Sequence, residues 1–525
     1  MTAEVREPFR SPVLEEGTLA RLAQRVVAAP GAARYETRAP FTGDPLASLP
    51  LSTPADVAQA YAGARVAQET WAQTPLAERA RILLRYHDLV LDRQDEVLDL
   101  VQLETGKARP HAFEEVADVA LVSRHYARTA ARHLRTERHR GLVPLLTRAD
   151  VVHHPKGVVG IVAPWNYPLT LAVTDALPAL IAGNGVVLKP DSQTALTALW
   201  AVDLLERAGL PAGLFHVVLG DGPVIGPAVV DGADFVCFTG STRTGREVAQ
   251  RAAARLVGCS LELGGKNALL VLDDADLDRA AEGAVRSCFS TAGQLCISTE
   301  RVLVADAVYD AFVPKFVSRV QAMTVGPGLG WDVDMGSLIS LAQLERTTAH
   351  VEDAVDKGAT VLAGGKPRPD LGPLFFEPTV LTDVTEDMTC HAEETFGPVA
   401  ILRRVRDENE AVRLANDTPY GLNACVWTRD VRRGRRVATR LESGTVNVNE
   451  AYGPSWGSTA APMGGMGDSG LGRRHGVEGL LKYTEPQTVA TQRLLPLGAP
   501  DQLTEQQWAR LFTAGLRLLK RARLG

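Results

Sequence analysis

Of the six cysteines in this 525-residue chain, Cys296, in Thr291-Ala-Gly-Gln-Leu-Cys-Ile-Ser298, has the most informative neighbours. A thiolate attacks a carbonyl carbon and a thiol does not, so a catalytic cysteine needs groups that move its proton and stabilise the oxygen it charges. Two distant stretches supply suitable residue types. Asn166, in Pro164-Trp-Asn-Tyr-Pro168, offers a neutral amide donor for an oxyanion. Glu262, opening Glu262-Leu-Gly-Gly-Lys266, offers a carboxylate able to deprotonate water, beside glycines that leave room for a ligand. Each has a plain alternative: an inert core cysteine, a loop asparagine bonded to its own backbone, a solvated glutamate.

Positioning such residues requires rigid elements. From Thr53 to Arg140 the pattern is helical, with Thr53 as N-cap, Pro54 at the first helical position, and a break at Gly106. From Val151 the character changes. Short β-branched runs at Val158–Val162, Gly185–Leu188, Phe215–Leu219 and Phe235–Phe238 alternate with helical stretches, which predicts a parallel sheet covered on both faces. Ligands of such sheets bind beyond the carboxyl ends of the strands, where Asn166, Lys189 and the turn Phe238-Thr-Gly-Ser-Thr-Arg-Thr-Gly245 fall. That turn, with Gly240 and Gly245 and a helix expected to begin near Thr244, suits phosphate, although its spacing is not GxGxxG. Alternation resumes at Ala268–Leu272, Val302–Val304, Val399–Leu402, Cys425–Trp427 and Thr445–Val448, a second α/β sheet carrying Cys296.

A chain of 525 residues exceeds a single core, so two or more substructures are expected. Net charge of -6 without long like-charge blocks gives no footing for nucleic acid. The absence of an apolar run long enough to span a bilayer, together with Glu4, Glu7 and Pro8 near the amino terminus, points to a cytoplasmic protein. Six cysteines without a CxxC pair fit a reducing compartment better than a disulfide framework or a zinc site, and no metal is expected.

These segments, with Glu393-Glu-Thr-Phe-Gly-Pro398 and Pro462-Met-Gly-Gly-Met-Gly-Asp-Ser-Gly-Leu-Gly-Arg473, resemble in order the aldehyde dehydrogenase superfamily from about residue 40 to 495. The resemblance implies an α/β fold with a Rossmann-type cofactor domain (36–136 and 157–261), an α/β catalytic domain (262–468) and a small β oligomerisation ribbon (137–156 and 483–496) pairing subunits as a homodimer or homotetramer. It implies Cys296 as nucleophile, Asn166 and the Cys296 backbone NH as oxyanion hole, and Glu262 as base for deacylation. Lys189, Ser192, Gly240, Ser241 and Gly245 would hold the adenosine half of the cofactor, with Trp165 and Leu263 nearby, and Glu394 and Phe396 would position the nicotinamide end. The implied reaction oxidises a small aldehyde to a carboxylic acid. The glutamate favours hydrolysis over transfer to coenzyme A. A non-catalytic structural or binding relative is the alternative of another class, against which both Cys296 and Glu262 are present.

Relatives selective for NAD often carry Glu where this chain has Ser192, so NADP is expected, with NAD also accepted. The segments look most like a bacterial subgroup labelled succinate-semialdehyde dehydrogenase. That activity is expected first, medium-chain or aromatic aldehydes second. Thr174 and Ser290 stand where better understood enzymes of that name carry carboxylate-binding arginines, and the expected substrate mouth is Tyr167, Thr174, Ser290, Tyr452, Trp456 and Met463. Two ends remain. Residues 1–35 read as a surface extension. The tail, 500–525, is amphipathic and basic, expected to dock on its own body or a partner subunit ahead of a membrane surface.

Overall fold

Two parallel sheets account for most of the core of this computed structural model, which describes residues 11–141, 147–492 and 498–521. The first follows the order Gly470–Leu471, Gly258–Glu262, Phe235–Thr239, Val158–Val162, Gly185–Lys189, Phe215–Val217. All its pairings are parallel except that of Gly470–Leu471. The apolar runs form these strands because β-branched residues suit a sheet buried on both faces, and Gly185–Lys189 is buried along its whole length. The chain runs outward from Val158–Val162 in one direction and returns beside it at Phe235–Thr239 to continue in the other. That reversal opens a crevice at the carboxyl ends of these strands. The helix after the glycine turn begins at Thr242, two residues earlier than expected, because Ser241 caps it by accepting from the Thr244 NH.

The second sheet has the order Thr360–Ala363, Thr379–Thr382, Val399–Val405, Thr299–Ala305, Asn267–Val271, Asn423–Trp427, Thr445–Val448, parallel except at its first pair. Cys296 lies just ahead of Thr299–Ala305.

Four helices, Pro54–Gln73, Leu76–Asp92, Gln94–Thr105 and Arg109–His133, form the expected helical block. Thr53 and Asp56 close a capping box at its start, and Gly106 ends the third helix at φ 76. The hairpin Arg34–Arg38 with Pro45–Pro50 was not foreseen, since its alternation is broken by prolines and short polar runs. A third, antiparallel sheet of Glu137–Arg140, Thr147–Pro155 and Thr484–Gln492 projects with most side chains exposed. Residues 142–146 and 493–496 of the expected ribbon lie outside the described residues.

Residues 11–35 correct the expectation of a surface extension. Val13, Leu22 and Val26 are buried, Val26 bridges to Val217 at the edge of the first sheet, and Arg21 and Arg25 both pair with Asp203. Residues 1–10 lie outside the described part. At the other end, the helix Glu505–Arg521 has no buried residue, so docking on its own body is not observed. Residues 522–525 are outside the description. Among the described residues no helix is long and apolar enough to cross a membrane.

Candidate active site

The turn before Cys296 is bent backbone. Thr291 and Ala292 sit at φ 54 and Gly293 at φ 70. A Cβ on Gly293 would lie 2.0 Å from the Gly397 carbonyl, so glycine there lets the nucleophile turn touch the Glu393–Pro398 loop. Asn267 Nδ2 donates to the carbonyls of Cys296 (2.8 Å) and Ser298 (2.7 Å), anchoring the turn to the second sheet. Gln294, buried, accepts from the Ile339 NH at 3.0 Å.

Asn166 meets this turn from the first sheet. Its Nδ2 donates one hydrogen to Gln294 O at 3.1 Å, and Asn166 lines the same cavity as Cys296, where the second amide hydrogen can serve an oxyanion. The loop is fixed from below by a buried ion pair that the sequence reading passed over as a helix end. Lys107 Nζ donates to Glu115 (2.7 Å) and to the Asn166 carbonyl (2.6 Å), and lies 3.7 Å from the centre of the Tyr167 ring. Glu115 in turn accepts from the NH groups of Leu169 and Thr170.

Glu262 ends the strand Gly258–Glu262 and is buried, with Oε1 lacking a hydrogen-bond partner among the described residues. Burial pushes its carboxyl up to about 7 against the opposing charges of Arg474 and Lys482. Burial likewise pushes the Cys296 thiol up to about 12, and the nearby charges of Glu262 and Glu394 add to that shift. The resting sulfur is therefore a thiol at neutral pH and must release its proton as it attacks. A carboxylate poised near 7 beside it has the basicity expected of a general base.

Cys296, Asn166, Tyr167, Tyr452, Trp456 and Met463 line one cavity. Thr174 and Ser290, expected at its mouth, do not. Thr174 Oγ1 is held behind the wall by Arg474 at 2.6 Å, and Ser290 Oγ lies behind Tyr452, accepting from its OH at 2.9 Å. Arg474, which sequence reasoning missed, does line the cavity and pairs with buried Asp175 at 3.1 Å. Asp175 also accepts from Lys482 Nζ and the Tyr483 OH, and against its burial the charges of Arg474 and Lys482, with these hydrogen bonds, hold it well below the usual carboxylate range. Neighbouring His475 is driven down to about 3 by burial and is neutral, which leaves Arg474 the positive charge on the described wall, which Glu114 and Asp118 also line. Arg474 directly follows the Pro462–Arg473 segment in sequence, but nothing in its spacing points it inward.

The remaining candidates lie along the crevice. Lys189 is buried at a strand end, with Nζ donating to Pro190 O at 3.1 Å. Ser192 follows Asp191, whose carboxylate is turned onto the Gln193 NH at 2.9 Å as a helix cap. A Cβ on Gly245 would lie 2.5 Å from Leu263, and one on Gly240 2.7 Å from the Phe238 ring, so glycine permits this close packing of the turn. Glu394 Oε1 accepts from the Gly265 NH at 2.9 Å, and burial raises its carboxyl to about 7. Phe396, at φ 57, packs edge-on against Trp165 with ring centres 5.5 Å apart. Its loop is pinned by Glu300, which accepts from the Thr395 and Phe396 NH groups and pairs with buried Lys266. A buried cation and a tight glycine turn at one end, and a carboxylate with an aromatic edge near the sulfur at the other, fit a dinucleotide.

The aldehyde dehydrogenase family model matches residues 27–489. A Mycobacterium ulcerans protein named putative succinate-semialdehyde dehydrogenase (NADP+) 2 is 53% identical over 470 residues, covering 89% of this chain and 91% of that one. The mitochondrial succinate-semialdehyde dehydrogenase of Arabidopsis thaliana is 40% identical over 85% of this chain and 84% of its own. Among solved structures, a point mutant of Staphylococcus aureus betaine aldehyde dehydrogenase in complex with NAD+ superposes with a TM-score of 0.87 at 32% identity, covering 92% of this chain and 98% of that one. An Escherichia coli NADP-dependent enzyme gives 0.85 at 36% identity, over 90% and 99%. The match across nearly the whole chain, onto a site with this thiol, amide and carboxylate, establishes that the chain belongs to the aldehyde dehydrogenase family.

Proposed function

We propose that this chain oxidises succinic semialdehyde to succinate with NADP, accepting NAD as well. The observation that carries the chemistry is that Cys296 and Asn166 line one cavity, while the buried carboxylate of Glu262 lies close enough for its charge to act on the Cys296 thiol. Cys296 adds to the aldehyde carbon as its proton passes to water in the cavity, giving a thiohemiacetal oxyanion that the Asn166 amide and the Cys296 NH hold. When bound, the dinucleotide supplies the hydride acceptor. Lys189, Ser192 and the Gly240–Gly245 turn would hold its adenosine half, and Glu394 and Phe396 would hold its nicotinamide end. Loss of hydride from the carbon leaves a thioester on Cys296, and Glu262 draws a proton from water, whose oxygen then releases the acid. In this reading 36–136 with 157–261 bind the cofactor, 262–468 carry the sulfur, and the ribbon pairs subunits into a dimer or tetramer.

Two things support the carboxylate-bearing substrate: the names of relatives at 52–53% identity, and Arg474 on the cavity wall with donors beyond those Thr174 and Asp175 use. Tyr167, Tyr452, Trp456 and Met463 favour a second reading, a medium-chain or aromatic aldehyde. Steady-state kinetics over an aldehyde panel with each cofactor separates them. The expected result is the highest kcat/KM for succinic semialdehyde with NADP, and a KM for it that rises about tenfold in Arg474→Gln, the loss of roughly one charge-assisted hydrogen bond. Better kcat/KM with hexanal or benzaldehyde would transfer the assignment to the second reading, and a preference for NAD of about tenfold or more would overturn the cofactor.

A further inference from the structure

The helix Glu505–Arg521 lies beyond the residues matched by the family model, 27–489, and the chemistry described above makes no use of it. At about 100° per residue, Trp508, Leu511, Phe512, Leu516, Leu518 and Leu519 fall within an arc of about 160°. Arg510, Arg517, Lys520 and Arg521 fall within about 100° on the other side, and Glu505, in the first turn, is the helix's one acid. Leu511, Leu516 and Leu518 are 59%, 48% and 66% exposed, and no residue of the helix is fully buried.

A surface helix packed on its own protein typically carries an apolar stripe of about 100° or more with charged and polar residues on the opposite face. Here an apolar arc with an aromatic pair, Trp508 and Phe512, is backed by cations of one sign, and the helix as a whole is polar. This pattern suits the boundary of an anionic bilayer: apolar side chains enter the acyl region, and the lysine and arginines meet phosphate headgroups. The helix spans about 26 Å, and no described helix is long and apolar enough to cross a membrane, so it would lie in the plane of the surface. We propose that Glu505–Arg521 anchors the enzyme peripherally to anionic lipid, with the cavity around Cys296 remaining open to water-soluble aldehydes.

The test is co-sedimentation of the full-length enzyme with vesicles of phosphatidylcholine alone or mixed with phosphatidylglycerol. The expected result is recovery in the pellet with the mixed vesicles only, weakened by high salt. Truncation after residue 499 should return the enzyme to the supernatant with its turnover unchanged. In the intact chain, Leu511→Gln with Leu518→Gln, or Arg517→Glu with Lys520→Glu, should each lower the vesicle-bound fraction about tenfold. Failure to bind anionic vesicles overturns the proposal, as does binding that survives truncation. A truncation that lowers the particle mass in light scattering while vesicles capture nothing would overturn it in favour of a second copy of the chain as the occupant.

Discussion

The chemistry of this protein turns on groups whose proton affinities are set by burial. Glu262 is held near 7, so it can take a proton from water only as the pH rises through that value. Turnover of the thioester is expected to climb with an apparent pKa of about 7, measured as kcat against pH. Glu262→Gln removes the base and keeps the shape. It is expected to give one burst of reduced cofactor per active site in a stopped-flow trace, followed by turnover slowed at least about 10²-fold. A full steady-state rate in that variant would remove Glu262 from the mechanism. Asn166→Ala acts earlier. Loss of one oxyanion donor is expected to slow the burst itself by about 10²- to 10³-fold.

At the scale of elements, three loops meet and each is held by buried polar groups, two of them on adjacent strands of the second sheet and the third in the helical block. Asn267 grips the Cys296 turn, Glu300 the Thr395–Phe396 loop, and the Lys107–Glu115 pair the Asn166 loop. The last of these has both partners fully buried. Removing one partner of such a pair strands the other charge, at a cost of about 3–5 kcal/mol. Lys107→Met is therefore expected to lower the midpoint of urea unfolding and to slow the acylation burst, because the Asn166 carbonyl loses its donor together with Glu115. A variant that unfolds at the normal midpoint would show that the pair is not stabilising.

The molecule as a whole extends beyond the two sheets. Val13, Leu22 and Val26 add to the first sheet's core, and Arg21 and Arg25 neutralise Asp203. Deleting residues 1–26 exposes the surface these side chains cover, each worth about 1.5–3 kcal/mol, so the thermal midpoint is expected to fall while the cofactor preference stays. An unchanged midpoint in calorimetry would mean this segment only decorates the surface. By itself the sequence determined the two parallel sheets, the helical block, the nucleophile turn and the family, because strand periodicity, turn glycines and ordered motifs are local in the chain. It could not determine which residues stand behind the site. Lys107 lies 59 positions from Asn166 and Arg474 lies 300 from Thr174, contacts made only when the helices and sheets close on one another. Thr174 and Ser290 were placed at the mouth by position along the chain, and packing turned both behind it. The proton affinity of Glu262 was equally hidden, since a glutamate's type says nothing of its surroundings, and it is the exclusion of water by the folded chain that lifts it to about 7.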